Sequence, residues 1–98
     1  MKFYFPESDT EKIVKSLKKA LSGRKLGKMV DFNNEATKIR VTISKLGTSN
    51  IDFKQTPAKD GVEWTLTSEK IAFSHKAFKD EVIEKINKII ESVGGTVL

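Results

Sequence analysis

Residues 38–44 alternate strictly between polar and apolar side chains, and this alternation constrains the fold more than any other feature. Successive side chains of a strand point to opposite faces, so Ile39, Val41 and Ile43 share one face. Residues 29–32 form a less regular short strand. The same alternation recurs in four further segments, residues 2–5, 50–55, 62–66 and 70–74. We therefore predict a sheet that buries one face only.

Two segments follow the period of a helix instead, and we predict helices over residues 9–22 and 76–92. Ser8 and Glu11 are spaced as a capping box at the start of the first helix, and Gly23 is placed to end it. Gly94 and Gly95 stop the second helix. In the first helix, a stripe about 120° wide contains Ile13, Val14, Leu17, Ala20 and Leu21.

These elements predict one small α+β domain over residues 1–98. We expect a two-layer sandwich in the order β-α-β-β-β-β-β-α, with both helices packed on one face of a mainly antiparallel sheet. Residues 33–35 and 67–69 are predicted to be turns. The chain has no cysteine and only short apolar runs, so we expect a soluble cytoplasmic protein.

The positive charge of the chain is concentrated in residues 12–28. The formal net charge is +5, and this stretch contains seven basic residues and no acidic one. The predicted contact residues for an anionic partner are Lys12, Lys15, Lys18, Lys19, Arg24, Lys25 and Lys28. A nucleic acid, an acidic protein surface or a membrane surface would suit such a stretch, and a lysine-rich solvated face has the same composition.

Catalytic residue types are scarce, so we expect no enzyme, no metal and no cofactor. His75 is the one histidine, and a catalytic triad needs a nucleophile, a base and an orienting group. Ser74 adjoins it but points to the opposite face of a strand, and Asp80 lies near it in sequence. We expect His75 to cap or pack at the junction between the last strand and the second helix.

The leading functional hypothesis is a non-enzymatic binding or interaction module that uses the basic face of the first helix. One alternative is a nucleic-acid-binding domain that tracks phosphates through residues 12–28. Another is a small ligand-binding or accessory domain with a pocket between sheet and helices, lined by Trp64, Phe53 and Phe73. The sequence does not decide the oligomeric state.

Two family resemblances concern the second helix. Residues 75–79 after three strands resemble the double-stranded-RNA-binding domain, although Phe78 and Val82 stand where that family has small residues and lysines. The same helix start is also similar to the small polyhydroxyalkanoic acid system proteins, against which residues 56–61 are an insertion. These segments are short, so we assign the chain to neither family.

Overall fold

The computed structural model describes residues 1–35 and 38–98, and within them the predicted α+β class is confirmed. Six antiparallel strands of these residues form one sheet, and two α-helices cover one of its faces. No helix in this part of the chain is long and apolar enough to cross a bilayer. The elements are β1 (Lys2–Phe5), α1 (Thr10–Leu21), β2 (Val30–Glu35), β3 (Lys38–Ser44), β4 (Thr48–Ala58), β5 (Gly61–Lys70), α2 (Lys79–Ser92) and β6 (Thr96–Val97), with 3₁₀ turns at Leu26–Lys28 and Phe73–His75.

The strand order brings the two ends of the described chain together. Across the sheet the order is β2-β3-β4-β5-β1-β6. Phe3 in β1 pairs with Trp64 in β5 on one side and with Val97 in β6 on the other. The strand that follows α2 is thereby attached to the sheet through β1.

An aromatic cluster lies at the centre of the inward face. The ring of Phe53 lies 5.4 Å from that of Phe3 and 6.4 Å from that of Trp64. The indole Nε1 of Trp64 donates to the side-chain oxygen of Gln55, which also accepts a hydrogen bond from Thr10 in the first turn of α1. The apolar faces of the helices complete this core with Ile13, Val14, Leu17, Leu21, Val82, Ile86, Ile89 and Ile90.

The N-cap of the first helix lies one residue later than predicted. Asp9, and not Ser8, is the N-cap, because its carboxylate accepts hydrogen bonds from the first-turn N–H groups, that of Glu11 at 3.0 Å. The N–H of Asp9 donates to the carboxylate of Glu7, so the capping box predicted for Ser8 and Glu11 is wrong. Gly23 ends the helix in the left-handed region with φ 79°, as predicted.

The strand predicted over residues 70–74 is wrong. β5 continues without a turn to Lys70, because the hydroxyls of Thr67 and Ser68 bond to Asp52 of β4 at 3.1 and 3.3 Å across a β-bulge. The following residues form a 3₁₀ turn in which Phe73, predicted to point inward, is 88% exposed. The last strand of the predicted order instead follows α2 as β6.

Two other boundaries also differ. Residues 33–35 continue β2 and are not a turn, since Asn33 pairs with Arg40 and Asn34 with Ile39. The second helix begins at Lys79 because the 3₁₀ turn occupies the approach to it. Gly94 ends the helix with φ 94°, as predicted.

The outward face of the sheet carries paired charges. The guanidinium of Arg40 donates two hydrogen bonds to the carboxylate of Asp52, at 2.8 and 3.1 Å, and Lys38 lies 3.7 Å from the same carboxylate. The hydrogen bonds from Arg40 hold the pKa of Asp52 below its ordinary value of 3.8. The charges at the centre of this face are therefore paired with one another.

The lowered pKa predicts acid-sensitive stability. A carboxylate whose pKa is depressed in the folded state stabilises the fold above its unfolded pKa, and this contribution disappears as pH falls through the folded pKa. The excess in unfolding free energy of the wild type over Asp52→Asn should therefore be constant above about pH 5 and shrink below about pH 4. Urea unfolding across this range measures it.

The matched control removes the cause of the shift. In an Arg40→Gln background, Asp52→Asn should show a smaller pH-dependent difference, because the groups that form the hydrogen bonds are coupled. A difference between wild type and Asp52→Asn that stays the same down to about pH 2 would contradict this assignment.

Candidate functional site

The seven predicted contact residues are all exposed, but they do not share one set of neighbours. Lys18 lies 3.9 Å from Asp31 of β2, on the flank of α1 that faces the sheet edge. Arg24 and Lys28 line a hollow with it. These three bases therefore lie beside an acidic side chain and near the start of β2.

The other lysines of α1 lie elsewhere on its surface. Lys12 lines a hollow with Glu7 and Val93 at the other end of the helix. Lys15 and Lys19 lie on the solvent-facing side of α1, away from its buried stripe. The helix thus presents its lysines over a wide surface.

The two helices lie side by side in opposite directions, and this arrangement brings a basic side of α2 to the end of α1. Val93 near the end of α2 lines a hollow with Lys12 near the start of α1. At the opposite end, Lys85 and Ile89 of α2 line a hollow with Arg24, which follows α1. Residues 22–29, which we call the connector, therefore meet the first half of α2.

Two adjoining hollows lie where the connector meets α2. Their volumes are about 410 and 320 Å³, and both are lined by Leu26 and Lys85. We call the pair the basic groove. Its basic rim consists of Arg24, Lys25, Lys45, Lys85 and Lys88, and its apolar floor consists of Leu26, Met29, Phe78, Val82 and Ile89. The acidic side chain of Glu81 also lines the groove.

Acidic side chains neutralise only part of this rim. Glu81 lies 3.2 Å from Lys85, and Glu84 lies 3.7 Å from Lys88. All four side chains are more than half exposed, and such pairs are worth only about 0–1 kcal/mol. Among residues 1–35 and 38–98, no carboxylate lies within 4.0 Å of the other three rim side chains. The groove is therefore net positive.

The connector holds its bases in a defined backbone. The N–H groups of Gly27 and Lys28 donate to the carbonyls of Arg24 and Lys25, each at 3.1 Å. The carbonyl of Met29 accepts a hydrogen bond of 2.7 Å from the backbone of β3. Leu26, buried between them, anchors the connector in the core. Its basic side chains consequently extend from a folded turn.

A buried polar network fixes Lys45, the rim residue in the β3–β4 turn. Nε2 of His75 lies 2.6 Å from the carbonyl oxygen of Lys45, and Nδ1 is hydrogen-bonded to the hydroxyl of Ser49. The same hydroxyl oxygen accepts from the N–H of Ala72 at 2.8 Å. The ring of Phe78 in the groove floor lies 5.5 Å from the imidazole. We call these groups the His75 network.

The protonation pattern of the network follows from its partners. A carbonyl oxygen only accepts, so Nε2 of His75 carries the proton and donates to Lys45. In the neutral imidazole, Nδ1 then accepts from the hydroxyl of Ser49, whose oxygen accepts from the N–H of Ala72. Every polar group of the network has a partner, as burial requires.

The network is built for support and not for nucleophilic chemistry. Ser49 and His75 are 0% and 1% exposed, so a substrate has no path to the hydroxyl. A backbone carbonyl stands where a triad would place a carboxylate. Ser74, the sequence neighbour of His75, donates to the carbonyl of Leu46 instead. The predicted packing role of His75 is therefore confirmed, with Ser49 as its partner and not Asp80.

Metal-ligand clusters and the predicted internal pocket do not provide an alternative site. In the described part of the chain, no three acidic or histidine side chains converge as metal ligands would. Trp64 and Phe53 are buried in the aromatic cluster, whereas Phe73 is exposed on the 3₁₀ turn. The three residues predicted to line one pocket are therefore not assembled.

Sequence reasoning found two of the five rim residues of the groove and missed the others. Lys45, Lys85 and Lys88 lie in segments whose charges balance along the chain, so a local count of charges does not reveal them. Ser49 was missed because it lies just before the strand predicted over residues 50–55. Its even spacing from Ile51 was the available signal that it faces inward.

No family model, curated protein or solved structure matches this chain. The basic groove and the His75 network are therefore the features from which a function can be inferred.

The network predicts that the buried hydroxyl of Ser49 contributes more to the stability of the fold than the exposed hydroxyl of Ser74. Ser49→Ala leaves the N–H of Ala72 and Nδ1 of His75 without partners, and should lower the unfolding free energy by about 1–3 kcal/mol. Ser74→Ala removes an exposed hydrogen bond and should cost less than about 1 kcal/mol. Urea unfolding followed by the fluorescence of Trp64 measures both. Equal losses in the two variants would contradict the role assigned to Ser49.

Proposed function

We propose that this domain is a non-enzymatic interaction module that binds an acidic segment of a partner protein in the basic groove. The observation that carries the proposal is the convergence of five basic side chains, from the connector, the β3–β4 turn and α2, around two adjoining hollows. The local basic stretch predicted from the sequence supplies Arg24 and Lys25 to it.

The charge of the rim supports an anionic partner. Within the residues that the structure describes, two of the five bases have a carboxylate within 4.0 Å, and those pairs are exposed and easily exchanged. Complementary charge of this kind raises association rates and suppresses partners of the wrong sign. The outward face of the sheet is less suited, because Arg40 and Lys38 are already engaged by Asp52.

The floor of the groove supports a protein segment as the anionic partner. Phe78 and Met29 are half-buried apolar side chains that a partner's apolar residues would cover. An amphipathic helix binds in this manner, with apolar anchors in the groove and charges at the rim. Four of the five rim bases are lysines, which attract carboxylates without the bidentate geometry of arginine.

Nucleic acid is the competing partner, and its support is weaker. Single-stranded nucleic acid binds through aromatic side chains on which bases stack. Phe78 in the floor is half-buried beside His75, and the outward sheet face carries charged and polar residues. Phosphate attraction alone would remain, and it would fall steeply with salt.

Fluorescence anisotropy tests the proposal with a labelled peptide in which glutamates flank leucines at helical spacing. We expect the wild type to bind it, and the variant Arg24→Glu/Lys85→Glu to bind about tenfold more weakly or worse, a loss of about 1.4 kcal/mol. The control Lys54→Glu/Lys59→Glu reverses two exposed lysines outside the groove and should bind as the wild type does. Each reversal lowers the net charge of +5 by two, so both variants carry +1.

Further arms separate the alternatives. Lys15→Glu/Lys19→Glu tests the solvent face of α1, and we expect only a small loss. A loss as large as that of the groove variant would move the site to α1. Equal losses in the groove variant and the Lys54→Glu/Lys59→Glu control would reduce the attraction to net charge. Tighter binding of an oligonucleotide than of the peptide, lost steeply between about 50 and 200 mM salt, would replace the proposal by nucleic-acid binding.

A further inference from the structure

Two large apolar side chains are almost fully exposed on neighbouring loops. Leu46 in the β3–β4 turn is 89% exposed, and Phe73 in the 3₁₀ turn before α2 is 88% exposed. They lie far apart in sequence, but the hydroxyl of Ser74 donates to the carbonyl of Leu46 at 2.7 Å. We call Leu46 and Phe73 the apolar tip. Neither side chain contributes to the core.

The two loops are held together and are not free to bury the tip. His75 binds the backbone of Lys45 from inside, and Ala72 binds Ser49. Gly47 has φ 140°, which favours glycine, and an added Cβ atom would lie 2.9 Å from the hydroxyl oxygen of Ser74, so a larger residue would disturb this approach. The exposure of the tip is therefore a property of a cross-linked pair of loops.

The backbone at Leu46 is also unfavourable for the residue it carries. Its φ is 54°, in the left-handed region where asparagine, aspartate or glycine are favoured. Folding alone would be better served by one of those residues, since an exposed leucine gains no burial there. The tight turn accounts for the backbone conformation, but neither the backbone nor burial accounts for a leucine at this position.

The side chains around the tip are mainly basic, and Glu69, four residues before Phe73, is already paired with Lys79 at 2.6 Å. Residues 45–50 and 70–79 contain four lysines and no acidic residue. The ammonium group of Lys76 lies 5.9 Å from the ring centre of Phe73. Lys45, next to Leu46, also lines the basic groove. An apolar tip flanked by lysines is complementary to a surface that is anionic outside and apolar beneath.

We propose that the apolar tip docks this domain on an anionic lipid bilayer. Leu46 and Phe73 insert at the boundary between headgroups and acyl chains, and Lys45 and Lys76 contact the anionic headgroups. The tip protrudes from two loops and is basic on its flanks, which suits a deformable interface of this kind. The surface is separate from the groove floor, so it extends the function beyond the binding of an acidic segment.

Vesicle flotation tests this with the full chain. We expect the wild type to bind vesicles of phosphatidylcholine with about one third phosphatidylserine and to ignore phosphatidylcholine alone, because charge supplies part of the attraction. Leu46→Asn/Phe73→Ser should lower partitioning roughly tenfold or more, since both apolar side chains that insert into the bilayer are lost. Asparagine tolerates the left-handed backbone, so the melting temperature of this variant should not fall.

Matched variants distinguish the tip from other surfaces. Leu98→Asn changes an exposed leucine beside β1 and should partition as the wild type does. Lys76→Glu should weaken partitioning and reduce its dependence on salt. Leu46→Asn/Phe73→Ser should retain the affinity for the acidic peptide, so the peptide and vesicle measurements test the two proposals independently.

Absence of wild-type binding to anionic vesicles, or wild-type partitioning by the tip variant, would overturn the proposal. Loss of self-association in the tip variant without vesicle binding would assign the tip to a protein contact instead.

Discussion

The His75 network joins two parts of the chain that are distant in sequence, residues 45–49 and 72–78. Its imidazole is hydrogen-bonded to the backbone of Lys45 in the β3–β4 turn and to Ser49 at the start of β4, and it packs beside the ring of Phe78 in the floor of the groove. A polar group buried without partners is costly, so the loops keep the arrangement that satisfies all of these groups. Both surfaces to which we assign a function, the basic groove and the apolar tip, are positioned by these contacts.

The fold determines which surfaces remain free for a partner. The inward face of the sheet is filled by the helices and the aromatic cluster, and the outward face is occupied by ion pairs centred on Asp52. The helical layer and the loop end near His75 are the regions whose charge is not balanced locally. Five bases converge there although the local count on α2 is balanced, because the antiparallel helices bring Lys85 and Lys88 beside the connector.

The fold class was predictable because its causes are local. Alternation at Ile39, Val41 and Ile43 and one-sided helices specify a half-buried antiparallel sheet with helices on one face. The end of β5 was not predictable, since Thr67 and Ser68 have turn-like composition and are kept in the strand by bonds to Asp52. Phe73 was predicted to face inward because a turn at residues 67–69 would have placed it on a separate strand.

The candidate site was predictable only in part, because it depends on contacts distant in sequence. Arg24 and Lys25 stand out in a local charge count, whereas Lys45 joins the groove through a turn held by His75. The pairing of Ser49 with His75 bridges 26 residues, and a sequence pattern gives only the inward parity of Ser49. The fold class depends on patterns within short segments, whereas the site depends on contacts between residues distant in sequence, and only the former can be predicted from the sequence alone.

The most direct test of this account is the protonation pattern of His75, read from a long-range ¹H–¹⁵N correlation spectrum of the imidazole. His75 is the sole histidine, so its two ring nitrogens are assigned without ambiguity. The account predicts that the proton of the neutral imidazole lies on Nε2, and that the lone pair on Nδ1 accepts from Ser49. A proton on Nδ1, or two tautomers in rapid exchange, would show that the loops are not joined in this way and would contradict the arrangement on which both proposed surfaces depend.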